Sequence, residues 1–152
     1  MKLPRNWTTY AAVGTALLLG GYVALFEAGE DTRLIPAEPA AVRSLTVAGA
    51  GPEPIHVARR DGEWRITRPL QWPADRLTVE ELARRLTEAR PKRELGPLEG
   101  DAAARYGLAE PYRRFTLRSA DHQWELRLGA ETPLGGARYA STGETVVTLD
   151  RA

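Results

Sequence analysis

The chain has 152 residues, enough for one ordinary domain with an appendage, and a formal net charge of +1 with acids and bases interleaved. That interleaving excludes the concentrated basic face of a nucleic-acid binder, so no nucleic-acid partner is expected. Cysteine is absent, which excludes disulfides, thiolate metal sites and cysteine nucleophiles; Lys2 and Lys92 are the only lysines, so the cations are nearly all arginine.

Residues 1–6 read as a cytoplasmic tip and residues 7–26 as a transmembrane helix. From Trp7 to Phe26 no residue is charged, and roughly 20 helical residues span a ~30 Å hydrocarbon layer. Trp7, Tyr10 and Tyr22 lie towards the ends, where aromatic rings favour the interface. Lys2 and Arg5 precede the segment, whereas Glu27, Glu30 and Asp31 follow it. The positive-inside rule therefore predicts a single-pass protein of the bacterial inner membrane with a cytoplasmic N-terminus and a periplasmic C-terminal domain. The apolar run exceeds the core of a cleaved signal peptide, and Ala24–Ala28 is a poor cleavage site, so an uncleaved anchor is expected. Ala12, Ala16, Gly20 and Ala24 recur every fourth residue and form a seam where a partner helix can approach closely. Residues 27–40, with two prolines and several charges, read as a linker without a core of its own.

Residues 41–152 read as an α+β domain. Ala41 to Ala48 alternates as a strand. IHVARR and EWRITR flank Asp61-Gly62, a strong hairpin signal. A two-residue turn there sets Arg60 opposite Glu63, Arg59 opposite Trp64 and Val57 opposite Ile66. Ile55, Val57, Trp64 and Ile66 then share a face, with Arg59 over the indole. Pro69 and Pro73 end the strand and carry the chain across. Thr78-Val79-Glu80-Glu81 reads as a capping box opening a helix. Val79, Leu82, Ala83 and Leu86 form its apolar side, Glu80/Arg84 and Glu81/Arg85 its paired polar side, and Pro91 stops it. Asp101 caps a short helix, which Gly107 closes in the left-handed conformation with Leu108 tucking back. A second hairpin, YRRFTLR and QWELRLG, turns at Ser119–His122 and aligns Phe115, Leu117, Trp124, Leu126 and Leu128. It repeats the first at an offset of sixty: Ile55/Phe115, Val57/Leu117, Asp61/Asp121, Trp64/Trp124, Ile66/Leu126. ARYAST and TVVTLD turn at Gly143-Glu144. The sum is an antiparallel sheet of about six or seven strands with one long and one short helix.

Little of this carries chemistry. His56 points away from the apolar face and His122 lies in a turn. No three-ligand metal pattern can be drawn, so neither a metal nor another cofactor is expected. Ser44, Ser119 and Ser141 lack a nucleophile-elbow context. LGAETPLGG reads as a loop between strands, without a Walker lysine. The expectation is no catalytic residue and no enzyme. Trp72, Arg113 and Arg114 are the candidate partner contacts.

The soluble part resembles the bacterial family of the domain of unknown function numbered 4340. The motifs are Asp61-Gly62-Glu63-Trp64, Pro69, Ala74-Asp75, the helix leucines, Tyr106-Gly107-Leu108 with Pro111, Leu128-Gly129 with Thr132-Pro133, and Gly135 before Tyr139. They run in order from about Ile55 to Leu149. The resemblance implies an auxiliary component of ABC transport systems of the gliding-motility type, usually with an N-terminal membrane helix. It carries over no catalytic residue.

These readings converge on a non-catalytic, membrane-anchored accessory subunit of a transport, respiratory or photosynthetic complex. Its expected partners are integral-membrane subunits, reached through the helix and the periplasmic domain, and the lipid bilayer itself. The alternative is a tethered binding module for a glycan or peptide.

Overall fold

The computed structural model describes residues 32–49 and 51–150. The expected cytoplasmic tip, transmembrane helix 7–26 and seam Ala12, Ala16, Gly20 and Ala24 lie outside the described residues. Within those residues, no helix is long and apolar enough to cross a membrane.

From Arg33 onward the chain forms one unit. A 3-10 turn (Pro39–Ala41) precedes β1 (Ser44–Ala48), β2 (Ile55–Arg60), β3 (Glu63–Arg68) and β4 (Trp72–Pro73). Helix α1 (Arg76–Glu88), β5 (Arg93–Pro97) and the short helix α2 (Ala102–Arg105) follow. Strands β6 (Arg113–Arg118), β7 (Gln123–Glu131), β8 (Ala137–Thr142) and β9 (Thr145–Asp150) complete it. One antiparallel sheet results, in the order β4-β3-β2-β1-β6-β7-β8-β9-β5.

The α+β class and its hairpins are as the sequence predicts. Asp61 (φ 52°) and Gly62 (φ 84°) have the two positive φ angles of a type I′ turn, whose twist matches the strands it joins. The predicted partners follow: Arg60 faces Glu63, Arg59 faces Trp64, and Val57 faces Ile66. The Arg59 guanidinium stands 5.7 Å from the indole centroid. The offset of sixty becomes a register across β1. Leu45 faces both Val57 and Leu117, Thr46 both His56 and Thr116, and Ser44 both Ala58 and Arg118. The two hairpins thus flank β1 as equivalent neighbours.

The strand count is nine, rather than six or seven, because two strands have no alternation to read. β4 is two residues ending at Pro73, a residue that sheets accept at an edge. β5 is exposed along most of its length, opens on the charged Arg93 and Glu94, and bulges against β9 between Glu94 and Gly96. Backbone pairing alone recruits both.

Helix α1 covers one face of the sheet. Val79, Ala83 and Leu86 pack with Leu45, Val57, Trp64, Phe115, Leu117 and Leu126 in the main core. Its cap is Asp75, one turn before the predicted Thr78: the Asp75 carboxylate accepts from the Thr78 amide at 2.8 Å and from its hydroxyl at 2.6 Å. Starting at Arg76 leaves Thr78 at the third helical position, where its amide needs an acceptor. Glu81 is then free to pair with Arg85 (2.7 Å) and Arg84 (2.8 Å). Glu80 turns to Arg76 and Arg59 instead of Arg84.

The described part of the expected linker belongs to this core. Ile35 is fully buried, Ala37 is buried with it, and the Leu34 amide donates to the Ala89 carbonyl at 2.9 Å. Apart from the 3-10 turn that Pro39 opens, the described segment forms no regular element, but its apolar side chains still roof the sheet beside α1. Ile55, expected on the core face, is over a third exposed. The β2–β3 register shifts between His56 and Val57, which separates Ile55 from the packed part of the hairpin.

Candidate functional site

The stretch Tyr106-Gly107-Leu108 closes α2 as expected. The Leu108 amide donates to Ala103 at 2.7 Å and the Gly107 amide to Ala104 at 3.1 Å, the double bond of a Schellman stop, with Gly107 at φ 67°. The stop also docks on β7. Ala130 donates its amide to the Tyr106 carbonyl at 2.9 Å. A Cβ on Gly129 would overlap that same carbonyl oxygen, and one on Gly107 would come within 2.9 Å of the Ala130 nitrogen. Two glycines therefore let two backbones touch. Leu108 is buried here, outside the main core. The Tyr106 ring meets Tyr139 at 4.6 Å between centroids. Arg138 donates to the Gly129 carbonyl at 2.8 Å, pairs with Glu131, and lies over the Tyr112 ring. Motifs scattered from Tyr106 to Tyr139 in the chain thus meet in a single clasp.

The clasp sits on β7 and β8, on the side of the sheet away from α1. Polar, half-buried side chains continue that side. His56, Thr46, Thr116 and Glu125 form one cross-strand row over β2, β1, β6 and β7. His56 Nδ1 lies 2.9 Å from the Thr46 hydroxyl. Arg114 and Arg127 flank Glu125 at 3.6 and 2.6 Å, and Arg118 donates to Gln123 at 2.6 Å. The row presents hydrogen-bonding and charged groups, the Thr46–His56 pair among them.

At the other end of the sheet, a surface depression of about 690 Å³ is lined by Arg60, Asp61, Glu63, Arg65, Arg68, Gln71 and Trp72, among others. Arg65 pairs with Glu63 at 3.4 Å. Trp72 is 69% exposed, and Leu70 and Leu77 close by in the chain are as open, at 72% and 69%.

Trp72 therefore lies on an open surface, and the three candidate contact residues are not brought together. Trp72 is on the terminal strand, and β3, β2 and β1 separate it from Arg113 and Arg114 on β6. Arg113 and Arg114 themselves diverge, as successive strand residues must. Arg113 stacks on Tyr112 at 5.0 Å and Arg114 turns to Glu125. Sequence reasoning missed Arg138, Tyr112, Leu70 and Leu77. The tyrosines and Arg138 gave a weak signal by standing in the motif stretches, whereas the two leucines gave none.

The shifted carboxylates are structural. Hydrogen bonds from Thr78 hold Asp75 below its usual value, and Arg85 and Arg84 do the same to Glu81. Among the described residues, no three His, Cys, Asp or Glu side chains gather to hold a metal ion.

No curated protein and no solved structure matches the chain. The family model described as a domain of unknown function (DUF4340) matches residues 64–152, from β3 through the clasp to the end of the chain. That match covers more than half of the chain, so the chain belongs to the DUF4340 family.

Proposed function

We propose that the protein is a non-catalytic accessory subunit, held at the bacterial inner membrane by residues 7–26, whose periplasmic sheet docks on integral-membrane partners. The observation that carries this reading is the use made of the family's motif residues. Gly107, Leu108, Gly129 and Tyr139 meet where the end of α2 packs on β7 and β8, rather than in a cleft that gathers reactive groups. A sheet with a polar side is suited to a broad, hydrogen-bonded interface, as accessory subunits need. Tethering makes the docking effectively intramolecular, so a weak interface is occupied once the anchor is in place. Partners of the ABC-transport class agree with the family resemblance; a respiratory or photosynthetic assembly meets the same physical requirements.

The test is gentle extraction from the native membrane followed by identification of what travels with the chain. A complex much heavier than the chain is expected, weakened by Gly20→Ile in the seam and left intact by Leu18→Ile off it. Extraction as free monomer or homodimer overturns the proposal. So does a reporter fused after Ala152 that is active only in the cytoplasm. The second reading, a receptor for a glycan or peptide, draws on the exposed Trp72 beside its polar depression. A glycan that binds the chain and is lost with Trp72→Ala favours it.

A further inference from the structure

We propose that the β4 edge is a membrane-contact surface: Leu70, Trp72 and Leu77 enter the interfacial layer, and the arginines beside them hold anionic lipid headgroups. These three are among the most exposed large apolar side chains of the described residues, and they stand between positions 70 and 77. Exposed leucines on either side of a tryptophan in the chain are costly in water, and are the composition that enters an interfacial layer. The cations fit the same partner. Arg60, Arg65 and Arg68 line the depression that Trp72 borders, and Arg76 opens α1 a few residues on. Arg65 and Arg76 have acidic neighbours in Glu63 and Glu80. Arg60 and Arg68 are exposed and make no ion pair among the described residues, although Arg60 stands across the strand from Glu63. Arginine forks match phosphate oxygens, and their long stems let the charge sit at headgroup level while the apolar tips go deeper.

Other occupants fit less well. β4 is two residues long and ends in Pro73, so it offers almost no edge for a strand from another protein. A sugar would stack on Trp72, but Leu70 and Leu77 have nothing to give its hydroxyls. The inference rests on the proposal that the chain is held at a bilayer, and deepens it by naming the side that faces the lipid.

The chain has no cysteine, so Leu70→Cys and Leu77→Cys each provide one thiol for an environment-sensitive fluorophore. Leu134→Cys, at a fully exposed loop position, is the reference. The labelled full chain is reconstituted in vesicles of phosphatidylcholine, with and without phosphatidylglycerol. With phosphatidylglycerol, the labels at 70 and 77 should be quenched by nitroxide lipid and protected from aqueous iodide. The label at 134 should respond to iodide alone. Arg60→Ala and Arg68→Ala should each lower the ratio of lipid-exposed to water-exposed label about fivefold. Labels at 70 and 77 that respond only to iodide overturn the proposal. Protection from both quenchers also does so, because another protein then covers the edge. A chain stripped from the vesicles by an alkaline wash defeats the anchor reading alone. The same quenching, on chain added to preformed phosphatidylglycerol vesicles, then decides the edge.

Discussion

Gly129→Ala tests the clasp directly. The new methyl would overlap the Tyr106 carbonyl oxygen, and its next neighbours are Leu108 Cδ2 at 3.1 Å and the Gly107 carbonyl carbon at 3.2 Å. Two of these three atoms are backbone, held by the Schellman bonds, so no side-chain rotation relieves the clash. Forcing a methylene into packed surroundings costs about 1–3 kcal/mol. Separating the backbones also lengthens the 2.9 Å Ala130–Tyr106 hydrogen bond, worth about 0.5–1.5 kcal/mol. The sum is roughly 1.5–4.5 kcal/mol, and it grows if Leu108 loses its burial. Urea unfolding of the full chain in mild detergent, followed by intrinsic tryptophan fluorescence, should show the midpoint falling by about 1–2 M at unchanged slope. Gly51→Ala, with nothing near its added Cβ, should stay within about 0.5 kcal/mol of the parent. Gly107→Ala meets the same contact from the other side and adds left-handed strain, so the double variant should cost less than the sum of the singles. A Gly129→Ala protein as stable as the parent refutes the clasp, and strict additivity refutes the claim that the two glycines serve one contact.

The buried Ser141 hydroxyl has no hydrogen-bond partner among the described residues. Ser141→Ala should therefore be neutral or stabilising by up to about 1 kcal/mol in the same urea assay; clear destabilisation shows that the hydroxyl has a partner. Asp75 has a folded pKa below its ordinary 3.8 because Thr78 bonds its charged form. Its contribution is therefore complete above the unfolded value and is lost as pH falls through the folded one. The stability gap between parent and Asp75→Ala should narrow on acidification from about pH 5 to pH 2, and a constant gap means the cap does not depend on the carboxylate charge.

Local pattern determined much of this protein. Positive φ at Asp61-Gly62 and period-two apolar residues were enough for the first hairpin and its cross-strand partners, because a two-residue turn fixes register. Apolar spacing likewise gave α1, and Gly107 with Leu108 gave the end of α2. The main core side chains were legible for the same reason: one buried face imposes its period on the sequence. What depended on distant partners was not legible. β4 and β5 exist only because β3 and β9 offer them edges. Ile35 is buried because a sheet built from residues further along needs a roof. Nothing in the sequence separates a glycine that closes a helix from one that also meets β7 face to face, because Gly129 is excluded from growing a side chain only by the carbonyl of Tyr106. Side-chain type alone marks Trp72, Arg113 and Arg114 as contact candidates. Whether such residues form one surface is set by strand order, and here strand order sets them apart.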